Sequence, residues 1–522
     1  MFILGKSEYF SIQNCNMKPS NQFEALIKNV NLFVFLLAFL LHRISGLQLF
    51  SDGDPAWHIY AGYAIRDAMS IPTYDPWSSV SHTQTWYNIS WLWDLLLSYA
   101  HTYIGDIGLG LSASCLFAGL ITLVHKTLVG TCKNMRYDSL TLVVALIALS
   151  LLEIPSVRPH ITTLFMLLFT QILINGQYDS YKKQRAKNTE SLKRMVASIK
   201  VATQLFCLVA IWANLHGGFT IIYTVLGAII CEGIYEKDPS LVAQFSLLLL
   251  ISFIASLCNP SGYKIYLGIG RTLDSVMFSY IGEWHPFCFG LRVGASITVA
   301  VLLLCALAYK RHYKTLHIQK YEWLLSTVWL IASLVSIRNF AVWLVLCAKS
   351  LVAALDAAIP YAKYPIKPSA PWLKALNIVA FISVICVCPY LPDRAIMLAQ
   401  DEINFVIANY PNHKIFNDYN IGGNIIYLGH GKMKHFIDGR AGTAFSEEVL
   451  SDYLSYYSDR EGWQNIFEKY QFNAAIIKKE DLKKTSVDVF FKRWQMVYSG
   501  NYGNVYIHPS ISKPFPAKAL SR

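Results

Sequence analysis

The chain has 522 residues, of which 54% are hydrophobic, 14% aromatic and only 15% charged, against about 25% charged in a typical soluble domain. With a mean hydropathy of +0.36, this excludes an ordinary soluble globular protein and indicates a polytopic membrane protein. The net charge of +12 is then read as basic cytoplasmic loops, and no nucleic-acid partner is expected.

A bilayer span needs about 20 largely apolar residues. Eleven stretches qualify, near residues 30–49, 107–129, 137–155, 160–178, 200–214, 217–235, 239–257, 288–309, 322–337, 339–357 and 372–390. Lys6 and Lys18 are accompanied by Glu8 and Glu24, and no small-residue cleavage site follows the first apolar run. That run is therefore expected to be a retained anchor, with 1–29 as a cytoplasmic N-terminus.

The stretch 89–105 competes as a further span, with Trp91, Trp93 and Asp94 in it. Loop charge decides. If 89–105 lies in the interface, the basic loop 179–200 (Lys182, Lys183, Arg185, Lys187, Lys193, Arg194, Lys200) falls inside, as do Lys133, Arg136, Lys310, Arg311, Lys314, Lys320, Lys363 and Lys367. The resulting topology has the N-terminus in and the C-terminus out. An outer loop over 50–106 carries two interfacial helices, one near Trp57–Met69 and one over 89–105. The membrane domain then runs from 30 to 390.

Residues 391–522 are long enough to bury a core of their own. Lys414–Phe416, Asn424–Leu428, His435–Ile437 and Ala474–Ile477 read as strands, and Ser446–Tyr457 and Trp463–Tyr470 as helices. Val497–Ser499 and Asn504–His508 flank the turn-rich Gly500-Asn501-Tyr502-Gly503 as a closing hairpin. The expected fold class is thus a polytopic α-helical membrane protein of about 11 spans with a C-terminal extracytoplasmic α/β domain. No cysteine follows Cys388, so that domain is expected to fold alone without disulfides. Most of the 11 cysteines lie in apolar segments, where a free thiol acts as a small hydrophobe.

The topology, drawn from loop charge alone, gathers the polar motifs on the outer face. They are Asp52-Gly53-Asp54, Arg158-Pro159-His160, Asn214-Leu215-His216-Gly217-Gly218, Asn259-Pro260, Glu283-Trp284-His285 and Arg338-Asn339. Ionisable groups at helix ends on one side are what a membrane-embedded site opening outward requires. Each also has a plainer reading. Asp54 equally suits a helix cap before Pro55; Arg158 can snorkel to headgroups; His216 can serve a tight turn; Glu283 and His285 can be loop surface; Asp75-Pro76 reads first as a turn. At Arg338 the guanidinium fork has a specific use, because it makes charge-assisted bonds to a lipid phosphate.

The strings Asp52-Gly53-Asp54-Pro55-Ala56-Trp57-His58, Ile71-Pro72-Thr73-Tyr74-Asp75-Pro76-Trp77-Ser78, Trp86-Tyr87-Asn88-Ile89-Ser90-Trp91-Leu92, Asn214-Leu215-His216-Gly217-Gly218 and Asp438-Gly439-Arg440 resemble a bacterial branch of the GT-C superfamily of integral-membrane glycosyltransferases, which use polyprenyl-phosphate sugars. Two departures stand out. Ala56-Trp57-His58 stands where members often carry paired aromatics, and Ile89-Ser90-Trp91-Leu92 where relatives carry a His-Glu pair.

The resemblance implies a GT-C-like fold and transfer of a sugar from a polyprenyl-phosphate donor to a lipid, glycan or protein acceptor at the outer face of a bacterial inner membrane. It assigns the catalytic base to Asp52 or Asp54, which could also hold a divalent metal ion; no other cofactor is expected. Arg338 is the first candidate for the phosphate cation and Arg158 the second. His160, Asn214, His216 and Glu283 are further candidates for holding phosphate or acceptor. Two rival readings share the same polar groups: a lipid or glycan transporter or flippase, and a non-catalytic membrane scaffold.

Overall fold

The computed structural model describes residues 21–44, 53–80, 84–132, 137–151, 157–187, 191–286, 318–358, 378–379, 381–382 and 397–510. The described part opens with a helix α1 (Asn21–Ile44) and continues through α2 (Asp54–Ala68), α3 (Trp91–Thr131), α4 (Tyr137–Leu151), α5 (His160–Lys187), α6 (Ser191–Leu215), α7 (Ile221–Tyr235), α8 (Pro239–Ser256) and α9 (Ile265–Leu273). Helices Lys320–Val335 and Phe340–Ala358 complete the described membrane part.

Six helices among the described residues are long and apolar enough to cross a membrane: Trp91–Thr131, His160–Arg185, Ser198–Leu215, Gly217–Tyr235, Pro239–Ser256 and Ile337–Asp356. They match six of the eleven expected spans. Val30–His42 and Ser139–Leu149 are shorter apolar helices, and Lys320–Val335 has 16 residues. The expected span 288–309 and most of 372–390 lie outside the described residues. The protein is an integral membrane protein with a small C-terminal sheet domain.

Local chemistry sets the helix ends. Asp238 caps α8 by accepting from the Leu241 N–H, with Pro239 in the first turn. Gln319 and Glu322 form a capping box at Lys320–Val335. At this end of the bundle Lys182 lies 2.7 Å from Glu236 and 3.2 Å from the buried Glu232, Lys320 lies 3.1 Å from Glu236, and Arg185 pairs with Asp238. The opposite end carries the polar motifs.

The two interfacial helices differ from expectation in one respect. The first is α2, ending at Met69 in the left-handed conformation. The second is continuous with the next span as α3, broken by non-helical backbone at Gly105 (φ 61°, ψ −171°), a conformation essentially confined to glycine. Leu96, Tyr99, Tyr103 and Ile104 before the break are exposed, which suits a helix lying in the membrane interface.

In the tail, β1 (Lys414–Phe416), β2 (Lys434–His435), β3 (Ala474–Lys478), β4 (Gln495–Ser499) and β5 (Gly503–Ile507) form one sheet of order β2-β1-β3-β5-β4. The first three are parallel, and β5 runs antiparallel to both β3 and β4. Asn424–Leu428 is a correction: it belongs to the helix Gly422–Leu428. Helices Gln400–Asn409 and Thr485–Phe491 also escaped the sequence reading.

The tail does not keep all of its core to itself. Trp57, Trp77, Trp86 and Met277 from the membrane part share one apolar cluster with Phe416, Phe436, Phe445 and Tyr453 from the tail. At its edge lies a buried ionic cluster. Arg440 binds Asp438 through Nε (2.8 Å to Oδ1) and a terminal nitrogen (2.6 Å to Oδ2) and reaches Asp75 Oδ1 at 2.7 Å. His435 Nε2 lies 2.6 Å from Asp438 Oδ2, and the guanidinium sits over the rings of Trp77 and Trp86. Asp75 also accepts from the backbone N–H groups of Trp77 and Ser78, the turn expected at Asp75-Pro76. Burial alone would raise both carboxyls, but Arg440 holds Asp75 and Asp438 below the usual carboxylate range. The tail thus packs on the loop between α1 and α3 as a roof, sharing one apolar cluster with it and keeping a second, around Ile403, Ile425 and Ile476, to itself.

Candidate active site

Asp54 is the first residue of α2, and its side chain does not cap the helix: the N-cap is Gly53, with no side-chain cap bond. Its Oδ1 accepts from Trp57 Nε1 at 3.1 Å, and its Oδ2 lies 3.3 Å from Arg158 Nε. Arg158 enters from the turn before α5 and has a carboxylate partner in Asp54. Both side chains are about a fifth exposed, at 21% and 17%. The tail closes over them at Gly439, where any Cβ would overlap Asp54 Oδ1. Only a glycine permits that approach.

Asp54, Arg158, His160, His216 and Arg338 line a single cleft of about 510 Å³. Glu283 lies in the 3₁₀ turn Gly282–Trp284, whose flanking residues Gly282 and Trp284 line the same cleft. Arg338 stands over the Trp284 ring at 5.1 Å. The Ile337 N–H donates to the His285 carbonyl, fixing that turn against the start of the last described span. Asp52 lies outside the described residues.

Asn214 is not among the residues lining this cleft; it lines a neighbouring hollow with Trp91, Cys258 and Pro260. Its Oδ1 accepts from Trp91 Nε1 at 2.7 Å, and its Nδ2 donates to the Ala210 and Cys258 carbonyls. It ties α6 to α3 and to the turn after α8.

His216 is held more tightly than a turn residue needs. Its Nδ1 accepts from the Gly218 N–H at 3.0 Å and lies 2.7 Å from Thr163 Oγ1, which itself accepts from Trp212 Nε1. A nitrogen that accepts from a backbone N–H carries no proton, so the ring is the neutral Nε2–H tautomer. Burial, followed by the charge of Arg338, pushes its pKa down to about 3. His216 therefore offers one N–H donor and no charge. His160 Nε2 is buried with no hydrogen-bond partner among the described residues.

Two residues not assigned from the sequence complete the site. His58 also lines the cleft, and its Nδ1 lies 2.5 Å from Asp94 Oδ1, both side chains being buried. Asn88 Nδ2 donates to Asp94 Oδ2 at 2.7 Å. The signals were present: His58 lies four residues after Asp54 on one helix face, and Asp94 is a carboxylate in an apolar stretch. Trp86, Tyr87, Tyr419 and Tyr457 add aromatic walls.

Asp52, the other carboxylate expected to hold a divalent ion, lies outside the described residues, and only the surroundings of Asp54 are seen. Both Asp54 oxygens face nitrogen donors, and among the described residues no three His, Cys, Asp or Glu side chains come together as ligands. Two guanidinium groups beside one described carboxylate suit an anionic group such as phosphate.

No family model and no curated protein matches this chain. Solved structures do. The oligosaccharyltransferase of Archaeoglobus fulgidus in its apo form is 12% identical, with a TM-score of 0.52 over 91% of this chain and 74% of that one. The same enzyme, tethered by a disulfide bond to an acceptor peptide containing the NVT sequon, is 11% identical, with a TM-score of 0.51 and the same coverage. At that identity the likeness is one of architecture, and the architecture this chain shares is the GT-C fold.

Proposed function

We propose that this protein is a glycosyltransferase that moves a sugar from a polyprenyl-phosphate donor to an acceptor at the outer face of the membrane. The observation that carries this reading is the convergence of Asp54, Arg158, His216 and Arg338 on one cleft beneath the tail. Arg338 and His216 hold the leaving phosphate, the first by charge and the second by its Nε2–H. Arg158 braces Asp54, and Asp54, preceded by Asp52, receives the acceptor's hydroxyl or amide. The aromatic walls offer faces on which a sugar ring can stack.

Loop charge supports a cleft on the outer face, with the Lys182–Glu232–Glu236 end on the cytoplasmic side; the family resemblance supports a bacterial inner membrane. The solved neighbour tethered to a peptide favours a peptide over a lipid or glycan as the first acceptor to try. A transporter needs access from both sides. Here Trp212, Phe219 and Phe245 fill the bundle beneath the site with fully buried rings, which favours a one-sided transferase.

The test is direct. The full chain in lipid nanodiscs, given a panel of polyprenyl-phosphate-linked sugars and acceptor extracts, should release polyprenyl phosphate and label an acceptor. Passage of the intact lipid-linked sugar across a vesicle, with no release, would establish the flippase reading instead.

A further inference from the structure

Asp54 is an awkward place for the acceptor's proton to end. Its carboxylate already faces Arg158 and Trp57, and a guanidinium beside a carboxylate favours the charged form and weakens it as a base. One helical turn further along α2, His58 has the arrangement that a base needs. Its Nδ1 lies 2.5 Å from Asp94 Oδ1 in a contact where neither side chain reaches solvent to more than 4%. Asp94 is acceptor-only when ionised, so Nδ1 carries the hydrogen and Nε2 carries a lone pair. Asn88 holds the other carboxylate oxygen, and the Trp57 ring stacks on the imidazole with centroids 3.6 Å apart. Ring orientation and tautomer are therefore both fixed. No described protein group hydrogen-bonds Nε2, and His58 lines the cleft.

We propose that His58 takes the acceptor's proton and that Asp94 is its positioning residue. The proposal rests on the glycosyltransferase reading above. In the step, the acceptor oxygen or nitrogen forms a bond to the sugar's anomeric carbon as the bond from that carbon to the phosphate oxygen breaks. The bonding pair leaves with the polyprenyl phosphate. The acceptor's proton passes to His58 Nε2, and Asp94 stabilises the imidazolium until the proton is lost to solvent through the cleft. A His–carboxylate pair with one nitrogen turned to the reacting centre is the general arrangement of an oriented base. The same contact could instead be a strut between α2 and α3, and the experiment must separate the two.

The full-length protein is assayed for polyprenyl phosphate release with acceptor present. His58→Ala should lower kcat by about 10²–10⁴-fold and leave the donor KM within about twofold of the parent. Added imidazole should restore turnover, and across a series of substituted imidazoles of similar size the restored rate should rise with base strength. A strut would be replaced according to size and shape, so restoration indifferent to base strength overturns the proposal, as does an His58→Ala protein that keeps its kcat. Asp94→Asn should lower kcat at least tenfold at unchanged donor KM, with some loss of melting temperature because an amide nitrogen cannot accept from Asn88 Nδ2. Should His58→Ala fail to fold, an undiminished kcat in Asp94→Asn overturns the proposal alone. A parent protein that releases no polyprenyl phosphate from any donor removes the glycosyltransferase reading and this one together. An active parent with an active His58→Ala removes only this one.

Discussion

Arg440 of the tail and Asp75 of the loop between α2 and α3 meet at 2.7 Å with both side chains fully buried, 365 positions apart in sequence. Arg440 has a second carboxylate in Asp438, so the cluster carries two negative charges against one guanidinium, with His435 beside them. Breaking a buried pair by removing one partner costs about 3–5 kcal/mol. Arg440→Ala is therefore expected to loosen the roof, exposing the segment from about 397 onward to protease at temperatures where the parent resists. The isolated tail fragment should be poorly folded by circular dichroism, since Trp57, Trp77 and Trp86 of its shared core are missing. A cooperative melt of that fragment would contradict the shared-core argument.

The same cluster sets an acid limit. Asp75 and Asp438 have folded-state pKa values held below the usual range. A depressed carboxylate contributes stability above its unfolded pKa of about 3.9 and loses it as pH falls through the folded value. Tail protection against proteolysis should thus be flat from pH 5 to 8 and decline below about pH 4, and Asp438→Asn should flatten that decline while lowering the plateau.

Gly439 offers a cleaner probe of the site, because a single Cβ there strikes Asp54 Oδ1. Its neighbours Asp438 and Arg440 keep the roof attached, so Gly439→Ala should leave tail protection unchanged while displacing the Asp54 carboxylate or the roof by about an ångström or more. Misplacement of about 1 Å in a site can cost about 100-fold. A loss of transfer of tenfold or more, with the melting temperature held, is expected; parental activity would mean that the roof does not touch the working carboxylate.

Much of this was legible in the sequence, and the failures have physical reasons. Loop charge and motif position put Asp54, Arg158, His160, His216 and Arg338 on one face, and the fold brings all five to one cleft. Asn214 lies two residues from His216 yet points away, because a helix end turns successive side chains to different sides. The segment Asn424–Leu428 has the β-branched, aromatic content of a strand, but Gly422 and Gly423 pack it against Gly53 and Asp438, and that tertiary contact makes it a helix. The His58–Asp94 pair joins two elements across 36 positions, and no local spacing announces such a contact. The fusion of the second interfacial helix with its span turns on the backbone of one residue, Gly105.

His216 gives a pH signature of its own. Its pKa in the folded protein is near 3, against about 6.5 when unfolded. A depressed histidine leaves the unfolded chain binding more protons, so its contribution is fully present above pH 6.5 and shrinks as pH falls toward 3. Melting temperature in detergent should drop between pH 7 and 5, and His216→Gln should reduce that slope. An identical slope in the variant would show that His216 is not buried neutral as the Gly218 N–H implies.

Arg338 and Asp54 should separate donor from acceptor. Arg338 has no carboxylate partner among the described residues and stands over Trp284, free to meet a phosphate. A hydrogen bond to a charged group contributes about 1.5–3 kcal/mol, so Arg338→Ala should raise the donor KM roughly 10- to 100-fold. Asp54→Asn should behave in the opposite way. Asparagine keeps the size of the side chain and an oxygen for Trp57 Nε1, and Asp54 caps nothing, so the fold should hold. What is lost is the charge that pairs with Arg158 and receives the acceptor. Transfer should fall about 10- to 100-fold by the same hydrogen-bond magnitude, while donor affinity holds or improves, because Arg158 is released to bind phosphate. Steady-state kinetics with donor and acceptor varied separately reads both. If Asp54→Asn raises the donor KM and spares the acceptor-dependent rate, Asp54 and Arg158 serve the donor, and the division of the cleft argued here is reversed.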